Sequence, residues 1–367
     1  MLTDLDIARW RLRSQRLVTP HAEDAAAVVS HLLAVQAENP SQSAWAVAAR
    51  TSSPDATDLN LLLTSGAVIR THVLRPTWHY VSAQDAAWLI EVTAPRIRGT
   101  ADHVMREVFG LTREDAEAAA GVVLDLLGEG VPLDRPTLAA RLSDRGRDLT
   151  GQQLMMLLAD LELQCLVCSG PPTDGHHTYA LFADRIPHPR RLDRAEALAE
   201  LALRYVAGHG PVTDRDLAYW ATLTLGDARA GLAAVADRLS SFEHDDRTFW
   251  HLPGQEPPTD AGEPRGHLLQ ILDETYRGYQ DSRWVLDAAG AVPRTRESAI
   301  GMALVDGQLV AAMKRTVTSQ GVAFALQAYD SWAPEMSPLV EGAAARYGAF
   351  LGLDPAWSLT GSRRDPS

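Results

Sequence analysis

A repeated helix start is the feature that most constrains the fold of this chain. The segment GVPLDRPTLAARL begins at Gly130, and the related segment HGPVTDRDLAYWA begins at His209. Three aligned positions carry the same residue in both copies: Pro132 and Pro211, Leu138 and Leu217, Ala139 and Ala218. Asp134 and Thr213 are the expected N-caps, because each follows a proline-marked turn and precedes an apolar periodic stretch. A long unit repeated only a few times indicates duplicated domains rather than a solenoid.

The elements predicted after each start are also alike. In the first copy, residues 149–163 have helical periodicity, and the apolar runs QCLVCSG and HTYALF then flank the turn PPTDGH. In the second copy, GDARAGLAAVADRL is the later helix, and RLSSFEH and RTFWHL form a hairpin. Helix, helix and hairpin is the order of a winged-helix unit. A less regular third copy is predicted near the N-terminus, with helices at 4–16, 21–35 and 58–65 before the hairpin of VIRTHVL and TWHYV.

The C-terminal part has a different sequence pattern, which indicates mainly strands. A linker rich in Pro, Gly and acid, GQEPPTDAGEPRG, precedes IGMALVDGQLVAAMKRTV, which is predicted to form two strands around the turn Asp306-Gly307. GVAFALQAYD adds a strand, and residues 335–353 are predicted to form a final helix. We therefore expect a mainly helical α+β fold with winged-helix units at 1–110, 111–190 and 191–255, and a β-rich element at 256–367.

Composition restricts the setting. No apolar run has the length of a membrane span, and the N-terminal residues lack the apolar region of a secretory signal, so we expect a cytoplasmic protein. Cys165 and Cys168 form a lone CxxC without further ligands for zinc, and two ordinary buried thiols are expected there. The net charge of −13 opposes nucleic-acid binding globally, but a local cationic groove would still attract phosphate.

Gln36 and Glu38 are the candidate catalytic residues. Pro40 cannot lie inside the preceding helix and favours extended backbone at the residue before it, so 36–38 should lie at or just past the helix end. Residues two apart in extended backbone point the same way. The amide of Gln36 would orient a water while the carboxylate of Glu38 accepts its proton. The alternative is a solvated helix terminus with a polar fringe.

Three stretches, taken together and in order, resemble a known family: QAENPSQSAWAVAAR, VIRTHVLRPTWHYVSAQDAAWL and HLLQILDETYRGYQDSR. They are similar to the bacterial winged-helix DNA glycosylases of the AlkZ/YcaQ type. The resemblance implies tandem winged-helix units in a C-shape with a C-terminal β-rich element. It also implies excision of alkylated purines, including bulky natural-product adducts and cross-links, by a Gln-apolar-Gln or Gln-apolar-Asp motif. That motif falls on Gln36, Ala37 and Glu38, where glutamate departs from both usual forms and leaves the substrate preference open.

The chemistry suits a monofunctional glycosylase without a cofactor. An N-alkylated purine is positively charged, so its glycosidic bond is already weakened and only the sugar cation and the water need help. A lyase mechanism would require an amine nucleophile. The chain has a single lysine, Lys314, on a predicted hairpin, with the N-terminal amine as a formal alternative.

Several basic side chains are candidates for DNA binding. The residues expected to contact double-stranded DNA are Arg50, Arg70, Arg75, His79, Lys314 and Arg315. For the hairpin residues the alternative is simple surface exposure, and for Lys314 and Arg315 it is a solvated turn. Asp273, Glu274 and Asp281 resemble a metal cluster, but structural hydrogen bonds to Tyr276, Tyr279 or Arg283 are expected, and no metal is proposed.

The expected partner is double-stranded DNA carrying alkylated purines, bound by a monomer. The alternative from another class is a non-catalytic winged-helix regulator that only binds sequence. The later helices of the repeats oppose it, because GQQLMMLLADLEL and GDARAGLAAVADRL are apolar enough to be core.

Overall fold

The computed structural model describes residues 2–255, 257, 265–292 and 301–361. Its helices are α1 Asp4–Ser14, α2 Ala25–Leu32, α3 Pro40–Ala48, α4 Ala56–Ser65, α5 Ala83–Glu107, α6 Arg113–Leu127, α7 Arg135–Asp144, α8 Gly151–Leu163, α9 Phe182–Arg185, α10 Arg194–His209, α11 Asp214–Trp220, α12 Leu225–Ala234, α13 Glu274–Arg277 and α14 Met336–Leu351. Its strands are β1 Val35–Gln36, β2 Val68–Val73, β3 Thr77–Ser82, β4 Leu133–Asp134, β5 Val167–Ser169, β6 Thr178–Leu181, β7 Ser240–His244, β8 Arg247–His251, β9 Gly266–Leu269, β10 Gly301–Val305, β11 Gln308–Val317, β12 Gly321–Ala328 and β13 Asp354–Thr360.

One order of elements occurs three times: a helix, a short strand, two helices and two further strands. The first copy has sheet order β1-β3-β2, and the second has the equivalent order β4-β6-β5. In the third copy β7 pairs with β8, and a bridge between Val212 and Trp250 occupies the place of the short strand. The predicted helix, helix and hairpin are present in each copy. The short strand that completes each sheet was not predicted.

The helix starts of the second and third copies follow from their capping residues. Asp134 accepts a hydrogen bond from the backbone of Thr137, and Thr213 accepts one from Asp216, as predicted for both N-caps. Thr150 and Gln153 form a capping box at the start of α8. Each such cap satisfies backbone N–H groups that the first turn leaves unpaired.

The first copy departs from the predicted helices. The helix predicted at 21–35 covers only Ala25–Leu32, and it ends where Leu33 takes a positive φ of 67°. Residues 35–36 then pair with β3. Pro40 starts the unpredicted helix α3 within its first turn, a position where the missing N–H costs nothing. Asn39 is therefore extended, as the proline indicated, and so are residues 35–36, whereas Glu38 lies in a bend.

The C-terminal region is a five-stranded sheet of order β13-β12-β11-β10-β9. Its three central strands and the final helix α14 confirm the prediction. The edge strand β9 and the parallel strand β13 were not predicted. Lys314 and Arg315 lie inside β11, so the alternative of a solvated turn is wrong for both residues. The predicted linker falls largely on residues outside those that the structure describes.

Two apolar clusters connect the copies and the C-terminal sheet. The first joins the β2–β3 hairpin and α5 to α10 and α11 of the third copy, with Trp88 and Trp220 fully buried. The second joins the C-terminal sheet to α1 and α3, and in it Trp45 stacks on Tyr347 with ring centres 4.3 Å apart. Leu33 and Ala34, which directly precede β1, also belong to the first cluster. Among the described residues, no helix is both long and apolar enough to cross a membrane.

Candidate active site

The backbone of residues 36–38 is held by β3 and by a buried acid. The N–H of Gln36 donates to Oε1 of Glu274 at 3.1 Å. The N–H of Ala37 donates to the carbonyl of Trp78 at 2.7 Å, and the N–H of Trp78 donates to the Glu38 carboxylate at 3.3 Å. Each residue of the motif thus has a fixed contact.

Gln36 and Glu38 occupy different environments. The side chain of Gln36 is buried with 4% exposure, and its Oε1 has no hydrogen-bond partner among the described residues. Glu38 is exposed, although its carboxylate is held by the backbone of Trp78. A buried polar atom without a partner is uncommon and is found at functional sites. The motif therefore joins an enclosed amide to a carboxylate that solvent and a ligand can reach.

Gln36 belongs to a polar row across the first sheet. Gln36 pairs with His79, and His79 pairs with Thr71, so the three side chains share one face. His79 is fully buried and accepts from Nη2 of Arg75 at 3.1 Å, which leaves its Nδ1–H to donate to the carbonyl of Thr77. Burial, together with the charge of Arg75, lowers the pKa of His79 to about 3. His79 is therefore neutral at physiological pH.

Glu274 lies beneath this row and connects it to the third copy. Its carboxylate accepts from Nε1 of Trp220 at 2.8 Å, from His209 at 3.4 Å and from Arg75 at 3.5 Å, besides the N–H of Gln36. Burial alone would raise the pKa of Glu274, but the hydrogen bond from His209 and the charge of Arg75 outweigh it and lower the pKa to about 2. A buried carboxylate is thus kept ionised under the motif.

The acids that resemble a metal cluster are separated in the structure. Asp273 pairs with Arg50, and Asp281 accepts from Thr213 and Arg247. Hydrogen bonding is the predicted role and is confirmed, but the predicted partners are wrong. Arg283 donates to the carbonyls of Tyr276 and Tyr279 instead. Nothing in the local sequence identified the partners of these acids.

The prediction that Arg50 contacts DNA is wrong. Its side chain has 0% exposure. Its guanidinium forms a double contact with Asp273, at 2.7 and 3.0 Å, and donates to Gln15 at 2.7 Å. A guanidinium that is enclosed and neutralised by a carboxylate presents no charge to a polyanion. Arg50 instead ties α3 to the start of α13.

Arg70 and Arg75 lie on opposite sides of the first hairpin. Arg70 stacks over Trp78 at 4.1 Å, donates to the carbonyl of Ala37 at 2.9 Å and lines a cleft of about 310 Å³. Arg75 lines a different cleft together with Thr77. Both arginines are nearly buried, with 6% and 9% exposure, so only a small part of each reaches a ligand. Fully buried His79 reaches one only through Arg75.

The C-terminal sheet borders the motif through Arg315. Its guanidinium donates to the carbonyl of Ser41 at 3.0 Å and to the hydroxyl of Tyr347 at 2.7 Å. Ser41 lies in the first turn of α3, three residues after Glu38. Lys314 is exposed on the same strand. Strand β11 thus places Arg315 beside the helix that follows the motif, whereas Lys314 is on the opposite face of the strand.

Comparisons with known proteins agree on one group. A family model described as DNA glycosylase AlkZ-like matches residues 29–350. An interstrand DNA cross-link repair glycosylase from Streptomyces sahachiroi is 25% identical over an alignment of 233 residues, and the match covers 58% of this chain and 59% of that protein. A solved structure of the DNA glycosylase AlkZ from the same organism superposes with a TM-score of 0.79 at 20% identity. It covers 98% of this chain and 100% of the other.

Proposed function

This chain belongs to the AlkZ-like DNA glycosylase family, and from that premise we propose that it is a DNA glycosylase acting on alkylated purines. The observation that carries the proposal is the motif itself. Gln36 and Glu38 lie two residues apart; within the described residues the buried amide oxygen of Gln36 has no hydrogen-bond partner, and the Glu38 carboxylate is exposed. Because one relative is named for interstrand cross-link repair, bulky adducts and cross-links belong among the candidate lesions.

The three copies are proposed to be tandem winged-helix units arranged as a C-shape around DNA. Their element order supports this assignment, and so does the match in fold to a DNA glycosylase structure. We propose that the protein acts as a cytoplasmic monomer on double-stranded DNA. Arg70, Arg75, Lys314 and Arg315 remain the proposed DNA contacts from the sequence, with His79 acting through Arg75.

The proposed reaction is hydrolysis with the purine as leaving group. The bond from C1′ of the sugar to the purine nitrogen breaks, and its electron pair neutralises the positive charge of the alkylated base. The Glu38 carboxylate stabilises the sugar cation and takes the proton of the attacking water as the bond from water to C1′ forms. The amide of Gln36 orients that water. The base needs no protonation, so two polar side chains are sufficient.

A monofunctional mechanism is proposed for a chemical reason. A lyase forms a Schiff base through an amine, and Lys314 is the single lysine of the chain. Lys314 lies on β11. The next residue of that strand, Arg315, contacts Ser41 rather than the motif itself. Hydrolysis should therefore leave an intact strand with an abasic site.

Base release from alkylated DNA tests the proposal. Purified protein is incubated with duplexes treated with a simple methylating agent or with a bulky intercalating alkylator, and released bases are identified by mass spectrometry. We expect a free alkylated purine and an uncut abasic strand, without covalent trapping by borohydride. Absence of base release from every alkylated duplex would refute the proposed function. Trapping in amounts that match turnover would refute the monofunctional mechanism.

A further inference from the structure

A cleft lined by arginines lies on the side of the first hairpin that carries Arg75. It has a volume of about 710 Å³ and is bounded by α5, α11 and the turn between β2 and β3. Arg75, Arg96 and Arg215 line it, and no Asp or Glu is among its lining residues. Sequence reasoning found only Arg75, because the other two come from helices far apart in the chain.

Tyr219, which also lines the cleft, lies close to several arginine side chains. The guanidinium carbons of Arg75 and Arg283 are 6.0 and 5.9 Å from the centre of its ring. Burial alone would raise the pKa of Tyr219, but the charges of Arg75 and Arg283 and a hydrogen bond with Arg277 lower it overall. This direction indicates a locally positive potential, because such a potential favours the phenolate.

Of the arginines in and around this cleft, Arg75 contacts the buried carboxylate of Glu274 at 3.5 Å, and the others lack acidic partners in the part of the chain that the structure describes. Within the described residues, Arg96, Arg215, Arg277 and Arg283 form no ion pair with a carboxylate, whereas many other arginines do, such as Arg98 with Asp160 and Arg204 with Asp85. Arg96 and Arg283 instead donate to backbone carbonyls. In a protein with net charge −13, such a concentration of unpaired cations is a local exception. A concave cationic surface attracts an anion.

The cleft is physically connected to the motif. Arg75 donates to the carbonyl of Arg277 at 3.3 Å and to His79 at 3.1 Å, and His79 is the strand partner of Gln36. The same arginine contacts Glu274, which accepts from the N–H of Gln36. An anion in the cleft would therefore lie one side chain away from the groups that hold the motif.

We propose that the cleft formed by Arg75, Arg96, Arg215 and Tyr219 binds the phosphate backbone of the DNA strand next to the lesion. Guanidinium forks and a phenol hydroxyl match phosphate oxygens in geometry and charge. The open surface and the path to the motif favour an extended polyanion over a small free anion. The inference rests on the proposed function, because it requires DNA at Gln36 and Glu38.

A paired charge removal tests the cleft. The double variant Arg96→Ala/Arg215→Ala is compared with the control Arg141→Ala/Arg145→Ala, which removes the same charge from two exposed arginines that pair with Glu129. Affinity for a lesion-free fluorescent duplex is measured by anisotropy over a range of salt concentrations. We expect the cleft variant to flatten the log-log salt slope by up to about 1.8, since each neutralised phosphate contributes about 0.9. The control should keep the wild-type slope.

Further measurements distinguish loss of charge from misfolding, and DNA phosphate from a small free anion as the ligand of the cleft. Arg96→Lys/Arg215→Lys keeps both charges and should retain most of the slope, and circular dichroism checks the fold of every variant. Inorganic phosphate and a mononucleotide should displace DNA from the wild-type protein only at concentrations at which ionic screening also weakens DNA binding by the control variant. A cleft variant with the slope and affinity of the control would overturn the proposal. Wild-type protein that binds through the cleft but releases no base would instead refute the proposed function alone.

Discussion

The side chain of Glu38 is exposed to solvent and that of Gln36 is buried, so substitutions can separate their roles. Glu38 is exposed, and its carboxylate accepts a hydrogen bond from the N–H of Trp78 at 3.3 Å. A glutamine oxygen accepts that bond equally well. Gln36 is 4% exposed and lies against His79, so its loss leaves a small cavity as well as a missing amide.

We expect Glu38→Gln to retain measurable base release at a reduced rate, because the amide still orients water but cannot take its proton. Glu38→Ala combined with Gln36→Ala should abolish release, a loss of at least about 10³-fold from removing both a base and a positioning group. Single-turnover release from a methylated duplex is the measurement.

Glu23→Gln is the matched control, since Glu23 is an exposed acid of the same copy. It should release bases at the wild-type rate. Denaturant midpoints should be equal for Glu38→Gln and Glu23→Gln. A double alanine variant that is folded and as active as wild type would remove both residues from the catalytic site.

Some properties of single residues could be predicted from the local sequence, and others could not. The extended backbone of Asn39 followed from Pro40, a local constraint that steric rules make readable. The burial of Arg50 depends on Asp273, which lies 223 residues away. An arginine next to an apolar helix has the same local pattern whether it meets a distant acid or water. Its role was therefore not predictable from one sequence.

At the scale of elements, helix starts were readable and strand partners were not. Asp134 and Thr213 carry capping chemistry within three residues of their partners. Strands β1 and β4 contain two residues each, and they exist only because a later hairpin pairs with them. Strand β13 pairs in parallel with β12 across the whole of α14. Short and non-local strands leave no alternating pattern long enough to identify.

Strand β11 carries two cationic residues with different surroundings. Lys314 is exposed, whereas Arg315 bonds to Ser41 and Tyr347. Lys314→Ala should flatten the salt slope of DNA binding by about 0.9, the contribution of one phosphate, with no change in stability. Arg315→Ala should also destabilise the fold by about 1 kcal/mol, since it leaves the part-buried hydroxyl of Tyr347 without its donor. Anisotropy titrations and urea unfolding measure the two effects.

Arg315→Lys separates charge from hydrogen bonding at the same position. It should keep the salt slope and lose part of the stability, because an ammonium cannot reproduce the two directions of the guanidinium fork. If Lys314→Ala left both the slope and the affinity unchanged, strand β11 would not belong to the DNA interface.

At the scale of the whole molecule, the candidate site is assembled from distant parts of the chain. Glu274 of the C-terminal segment accepts from Gln36 of the first copy and from Trp220 of the third. Trp45 of α3 donates to the carbonyl of Leu268 in β9, which fixes the C-terminal sheet on the same copy. The motif therefore has its geometry only when the copies and the sheet are packed together, and conditions that loosen this packing should reduce activity and stability together.

Buried neutral histidines make that packing sensitive to acid. Burial lowers the pKa of His79, His177 and His267 to about 3 each, and that of His31 to about 4. In the unfolded chain these groups titrate near about 6.5. Between these values the unfolded chain binds protons that the folded chain does not. The free energy of unfolding must therefore fall as the pH drops below about 6.5.

We expect the urea midpoint to fall markedly from pH 7 to pH 5, with fully buried His79 alone lowering the free energy of unfolding by up to about 2 kcal/mol. Glu274 is not the cause in this window, because its pKa is about 2 in the fold and its stabilisation is lost only as the pH falls below its unfolded pKa near about 4.3. His267→Gln removes one half-buried titrating group with a lowered pKa and should make the fall shallower, whereas His103→Gln at an exposed position should not. A midpoint independent of pH between 7 and 5 would contradict the neutral burial of these histidines, and with it the neutral His79 beside Gln36.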